Sequence, residues 1–133
     1  MKKWHKVPIG HINDSRGCLS VLEQNENFNF DVKRVYFVSD VPDSLARGSH
    51  AHEELSQIIF STSGSFKLLL DDGNLKEEFL LEKGGDGLFV EGLVWRTIDE
   101  FTENAVMMVL CDRIYKYDVV IRDYGDFLEK VQR

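Results

Sequence analysis

Short apolar runs separated by turn-forming clusters recur along nearly the whole chain, and apolar residues almost never repeat at helical spacing. Strands are predicted near Trp4–Pro8, Cys18–Glu23, Lys33–Ser39, Gly48–His52, Ser56–Thr62 and Ser65–Asp71, and again near Leu75–Leu81, Gly87–Glu91, Trp95–Asp99, Ala105–Cys111 and Tyr117–Ile121. Between them lie turn signals at Asn13–Gly17, Asp71–Asn74 and Lys83–Asp86, with Asp72-Gly73 the clearest hairpin. Short strands at this spacing predict an all-β sandwich or barrel. The only predicted helix is Tyr124–Val131, with a turn near Pro42–Leu45. No linker, low-complexity segment or repeat divides residues 1–133, so a single domain is expected.

The net charge of −7 and pI near 5.0 argue against non-specific nucleic-acid binding. An anionic ligand then needs a local cluster of arginines. Cys18 and Cys111 each sit in an apolar context and are expected to pack in the core. The basic start, Met-Lys-Lys-Trp-His-Lys, is followed by no apolar run of signal-peptide length, and no run approaches a membrane span. A soluble, cytoplasmic protein is expected.

Chemistry concentrates between Arg47 and Gly64. His50 and His52 are two apart, so in a strand both imidazoles project from one face. Gln57 is an odd number of positions further on and shares that face only if Glu53–Leu55 turns the chain between two strands. This pattern, His-x-His, four residues, Gln57, six residues, Gly64, resembles the first motif of the cupin superfamily, small jelly-roll barrels. Metal-binding cupins carry Glu at the position of Gln57 and a third His from a second motif. Here the matching stretch, Val90-Glu91-Gly92-Leu93-Val94-Trp95, ends on Trp95. A neutral amide and an indole are poor substitutes for a carboxylate and an imidazole, so no metal and no cofactor is expected.

Acid–base chemistry needs no metal. Neutral imidazoles suit proton transfer near neutral pH, and two side by side can take a proton and return it one carbon away. Tyr36, two residues after Arg34, can add a proton donor or a hydrogen bond to an oxyanion. The plainer alternative is that His50 and His52 only cross-link strands. Arg16, Arg34, Arg47, Arg96 and Arg122 lie in or beside strands and are candidates for phosphate contact, Arg47 foremost. Trp95 and Arg96 face opposite ways in a regular strand, so one of them faces the pocket.

The order Asp14-x-Arg16-Gly17-x-Leu19, Lys33-Arg34-Val35-Tyr36, Arg47-Gly48-x-His50-Ala51-His52 resembles the WxcM-like cupin group of nucleotide-sugar 3,4-ketoisomerases. Gln57, Gly64-Ser65, Gly87-Leu88-Phe89-Val90, Trp95 and Ile121-Arg122-Asp123-Tyr124 extend the likeness over nearly the whole chain. The resemblance implies that the keto group of dTDP-4-keto-6-deoxy-D-glucose moves to C3, giving a substrate for an aminotransferase. It implies His50 and His52 as the proton shuttle through an enediol(ate), assisted by Tyr36. Arg47 would contact sugar or phosphates, Gln57 would line the pocket, and Arg16, Arg34, Trp95 and Arg96 join the substrate-binding set. It also implies a homodimer sharing the Trp4–Pro8 strand. C4 stereochemistry tracks the positions of Arg16 and Arg96. Arg16 matches galacto-type members and Trp95-Arg96 matches gluco-type members, which leaves C4 open with a slight lean to galacto. The competing classes are a 3,5-epimerase, a non-catalytic sugar-nucleotide-binding cupin and a metal-dependent dioxygenase.

Overall fold

The structure, a computed structural model, describes residues 2–42 and 45–132. Its strands are β1 (Trp4–Val7), β2 (Gly10–Asp14), β3 (Gly17–Val21), β4 (Arg34–Val38), β5 (Arg47–His52) and β6 (Ser56–Ser63), then β7 (Ser65–Asp71), β8 (Lys76–Glu82), β9 (Gly87–Glu91), β10 (Trp95–Asp99), β11 (Val106–Cys111) and β12 (Val120–Ile121). A 3-10 turn at Tyr115–Tyr117 and the helix α1 (Tyr124–Val131) complete it. Alternation decides which side chains go inward. Along β7, Phe66, Leu68 and Leu70 are buried and Ser65, Lys67 and Leu69 are less so; along β11, Met107, Val109 and Cys111 are buried.

Two antiparallel sheets stack these apolar faces on each other, ordered β1-β9-β6-β11-β4 and β12-β5-β10-β7-β8. The result is the expected jelly-roll sandwich. One end of the interior is apolar, with the Phe66 and Phe101 rings stacked at 5.4 Å. At the other end the inward positions are polar. On the first sheet, Cys111 pairs in register with both Arg34 and Gln57, and Val109 pairs with Tyr36. On the second, Arg96 pairs with His50 and Val120 with His52. Paired residues share a face, so these two sets look at each other across the sandwich.

The bend between β5 and β6 makes this possible. The chain leaves one sheet after His52 and enters the other at Ser56. Gln57 thereby faces the histidines despite its odd spacing. Gly92 N–H donates to Leu55 O and Glu53 N–H to Val119 O, pinning the bend from both sides.

Several expectations need correction. β2 pairs with β3 in a separate ribbon, although Gly-His-Ile-Asn-Asp carries little strand signal. The tight turn there is confined to Ser15-Arg16, where the Asp14 carboxylate accepts Arg16 N–H at 2.8 Å. Cys18 lies exposed on this ribbon, which has no packed outer face at that point; only Cys111 is buried. The strand expected over Tyr117–Ile121 is only β12, because the preceding residues wind into the 3-10 turn. Within this single chain β1 pairs with β9 and buries Trp4 and Val7. Residues 43 and 44, within the turn expected near Pro42–Leu45, lie outside the described residues; Leu45 N–H donates to Pro42 O at 3.3 Å. No helix among the described residues is long and apolar enough to cross a membrane.

Candidate active site

The polar end of the sandwich encloses a pocket of about 280 Å³ lined by Arg34, Tyr36, His50, His52, Tyr115, Asp118, Val120 and Arg122. His50 and His52 project into it from β5. Their Nε2 atoms are 3.0 Å apart and their rings meet edge to face. His52 Nδ1 lies 2.7 Å from Asp118 Oδ1, and the other carboxylate oxygen accepts from Arg34 Nη2 at 2.8 Å. The Arg34 guanidinium also lies over the rings of Tyr36 and Tyr115, at 5.6 and 5.7 Å.

Burial decides the charge states of the histidines. It lowers the His50 pKa to about 3, helped by the neighbouring His52 ring and the positive charges of Arg96 and Arg122. It lowers His52 to about 4, with Arg96 adding to the effect and Asp118 opposing it. Both imidazoles are therefore neutral at pH 7, and the His52–Asp118 contact is a hydrogen bond to a carboxylate rather than an ion pair. Burial alone raises the Asp118 pKa, but the bonds from Arg34 and His52 outweigh it and hold the group below its ordinary range.

A second chain of bonds rises from the floor. Arg96 is buried, 2% exposed, and donates to Gln57 Oε1 and to Val94 O. A guanidinium only donates, so the amide oxygen of Gln57 must face it. The amide nitrogen then faces Tyr36 and donates to its hydroxyl at 3.2 Å. Tyr36 is thus an acceptor from below, and its own proton is left to donate toward the pocket. Burial raises its pKa, so the phenol keeps that proton. Burial also lowers the Arg96 pKa to about 10, which leaves it a cation at neutral pH with only neutral partners.

The predicted residues thus separate. His50, His52, Tyr36 and Arg34 meet in the pocket, with Gln57 and Arg96 directly beneath. Arg96 is the inward member of its pair. Trp95 pairs in register with Ala51 on the opposite face and packs on Tyr124 and Phe127 of α1, at ring distances of 5.3 and 5.7 Å, so it does not line the pocket. Arg47, at the exposed start of β5, does not line it either. Arg16 is on the β2–β3 ribbon, its side chain 88% exposed and paired with Asp14. Arg122, one of the arginines named as a candidate phosphate contact, lines the pocket, and Asp118 and Tyr115 complete it without having been singled out. The alternation of Asp118, Val120 and Arg122 into β12 is the signal that could have found Asp118. Among the described residues no three His, Cys, Asp or Glu side chains are placed to hold a metal ion.

The chain is similar to known proteins over nearly its whole length. A relative from Aneurinibacillus thermoaerophilus, TDP-4-oxo-6-deoxy-alpha-D-glucose-3,4-oxoisomerase, is 38% identical over 122 residues, spanning 92% of this chain and 88% of its own. A solved structure of a histidine-to-asparagine mutant of the 3,4-ketoisomerase QdtA from Thermoanaerobacterium thermosaccharolyticum, in complex with TDP-4-keto-6-deoxyglucose, superposes with a TM-score of 0.93 at 29% identity, covering 99% of this chain and 96% of that one. A 3,4-ketoisomerase from Helicobacter canadensis gives a TM-score of 0.93 at 32% identity over the full length of both chains. The FdtA family, described as WxcM-like, C-terminal, matches residues 2–132, and the chain belongs to it.

Proposed function

We propose that this chain, acting as one cupin domain, isomerises a TDP-linked 4-keto-6-deoxyglucose to the 3-keto sugar by metal-independent proton transfer. The observation that carries the reading is the pair of neutral imidazoles, 3.0 Å apart, facing a pocket that also holds the Tyr36 phenol. The names of the relatives supply the substrate class. The chemistry follows from what each group can do. A neutral imidazole takes the C3 proton, and the electron pair left behind forms an enediolate across C3 and C4. The Tyr36 hydroxyl donates to the developing oxyanion, and the buried Arg96 charge stabilises it through the low-dielectric floor. The C3 hydroxyl proton passes to the C4 oxygen by way of the Tyr36 hydroxyl, and protonation of C4 by the solvent-exchanged imidazolium leaves the ketone at C3. Nothing is oxidised overall and no proton is gained or lost.

About 280 Å³ is at the small end of ligand sites, and it suits the hexose alone. The diphosphate then lies at the rim, where Arg122 and Arg34 supply positive charge in a chain of net charge −7. Two imidazoles with a neutral amide behind them are a weak donor set for a transition metal, which supports a metal-free route. A homodimer completes the reading.

The test is proton NMR of TDP-4-keto-6-deoxyglucose with the protein in D₂O, with and without EDTA. The expected product is the 3-keto sugar carrying deuterium at C4, formed equally in EDTA, with the H5 coupling pattern reporting the C4 epimer. Exchange at C3 and C5 without ketone migration would mean a 3,5-epimerase. TDP binding with no exchange would mean a binding module. His50→Asn should remove turnover and leave TDP affinity almost unchanged.

A further inference from the structure

We propose that Asp118 is a positioning residue that fixes the tautomers of both histidines, and that it makes Nδ1 of His50 the basic nitrogen of the site. The reaction it serves rests on the isomerase reading above; the tautomer assignment does not. The chain of constraints starts from a group that can only accept. The Asp118 carboxylate is 4% exposed, and its two oxygens are engaged by Arg34 Nη2 and His52 Nδ1. An ionised carboxylate has no proton to give, so His52 Nδ1 must carry one. A neutral His52 is then bare at Nε2. That bare nitrogen is 3.0 Å from His50 Nε2, which must therefore carry a proton to bond to it. A neutral His50 is then bare at Nδ1. No described residue bonds that atom, and the ring lines the pocket. Of the four ring nitrogens in the pair, it alone keeps a free lone pair.

The arrangement also serves the charged state. When His50 Nδ1 takes the C3 proton, the C–H bond breaks, its electron pair passes into the enediolate and His50 becomes an imidazolium. The new charge is shared through the Nε2–H bond to His52 and compensated by Asp118 two bonds further on. The imidazolium proton exchanges with solvent, and Nδ1 then delivers a proton to C4. Arg34 matters because it holds the second carboxylate oxygen, so the carboxylate cannot rotate away from His52.

Arg34 also makes the proposal unusually testable. In Asp118→Asn the guanidinium, which only donates, claims the amide oxygen and directs the amide NH₂ at His52 Nδ1. That nitrogen must become the acceptor. The His52 proton moves to Nε2, His50 Nε2 turns acceptor, and the His50 proton moves to Nδ1, which removes the base. The same carboxylate-to-amide change in a Ser-His-Asp triad traps the wrong tautomer at about 10⁴-fold in kcat.

The experiment is two-bond ¹H–¹⁵N correlation NMR of the ¹⁵N-histidine protein at pH 7, with kinetics of Asp118→Asn. In the unaltered protein His50 should be protonated at Nε2 and His52 at Nδ1. In Asp118→Asn both assignments should invert, and kcat should fall about 10²–10⁴-fold while KM and TDP affinity stay within about threefold. A proton on His50 Nδ1 in the unaltered protein would overturn the proposal, and so would a kcat within about fivefold in the variant. Should Asp118→Asn fail to fold, the spectrum of the unaltered protein still decides. A protein with the stated tautomers and no 3,4-isomerisation would sink the proposed reaction and leave the assignment standing.

Discussion

His50 and His52 give up most of their ordinary affinity for protons because they are buried beside each other and beside the Arg96 cation. Two consequences share this cause. The first concerns rate. A free imidazole loses its basic form below about pH 6.5, but here the pKa values are about 3 and about 4. We expect kcat/KM for isomerisation to stay flat from pH 7.5 to pH 5.5; a pH–rate profile with a limb at 6.5 would contradict this. The second concerns stability. Unfolding releases both rings to ordinary values, so between pH 6.5 and about 3 the unfolded chain binds more protons than the native one. Stability is therefore full above pH 6.5 and declines as pH falls through that window. The lowered Asp118 pKa adds a loss of the same sign at more acid pH. Thermal melts from pH 7.5 to 4.5 should show Tm falling for the unaltered protein and a flatter course for His50→Asn/His52→Asn. Equal slopes would place the acid sensitivity elsewhere.

At the scale of elements, the helix α1 explains why Trp95 is present without facing the pocket. Asp123 caps the helix by accepting Asp126 N–H at 2.9 Å, and Phe127 is fully buried against Trp95 and Tyr124. Tyr124 in turn donates to Asp71 at 2.6 Å on β7. The helix thus clamps the outside of β10, whose inner face carries Arg96. Phe127→Ala should cost about 3–5 kcal/mol and lower Tm by roughly 10–20 °C, while kcat at 25 °C stays within about threefold because no group in the pocket is touched. A large loss of kcat in the folded variant would mean that the helix shapes the site. The capped helix and the alternating strands were legible because their signals are local. Asp118 was not: it meets His52 across 66 positions of sequence. The β5–β6 bend was legible only as a condition, since the face of Gln57 depends on which sheet β6 joins. β2 was missed because polar residues form a strand there only through pairing with β3.

The whole molecule leaves apolar surface where a lone chain has no use for it. Phe37 and Val35 on the edge strand β4 are 66% and 50% exposed, and Ile12 and Leu19 on the β2–β3 ribbon are 58% and 60% exposed. A groove of about 780 Å³ runs between that ribbon and the outer face of the first sheet, lined in part by Ile9, Cys18, Leu22, Phe60 and Met108. Apolar side chains spread over a sheet face and a hairpin that, among the described residues, pairs only with itself mark an association surface. A second copy of this chain is the occupant the homodimer reading supplies. It would also bring a partner's surface toward Arg16, which is exposed and does not line the pocket of its own chain. Sedimentation equilibrium should therefore give about twice 15.4 kDa. Phe37→Asp should shift the mass toward the monomer while leaving the fold intact, since a side chain this exposed in the single chain contributes little to its own core. A monomeric unaltered protein would remove the dimer from the reading. A dimer that survives Phe37→Asp would move the interface away from β4 and onto the ribbon, with Leu19→Asp as the variant that must then dissociate it.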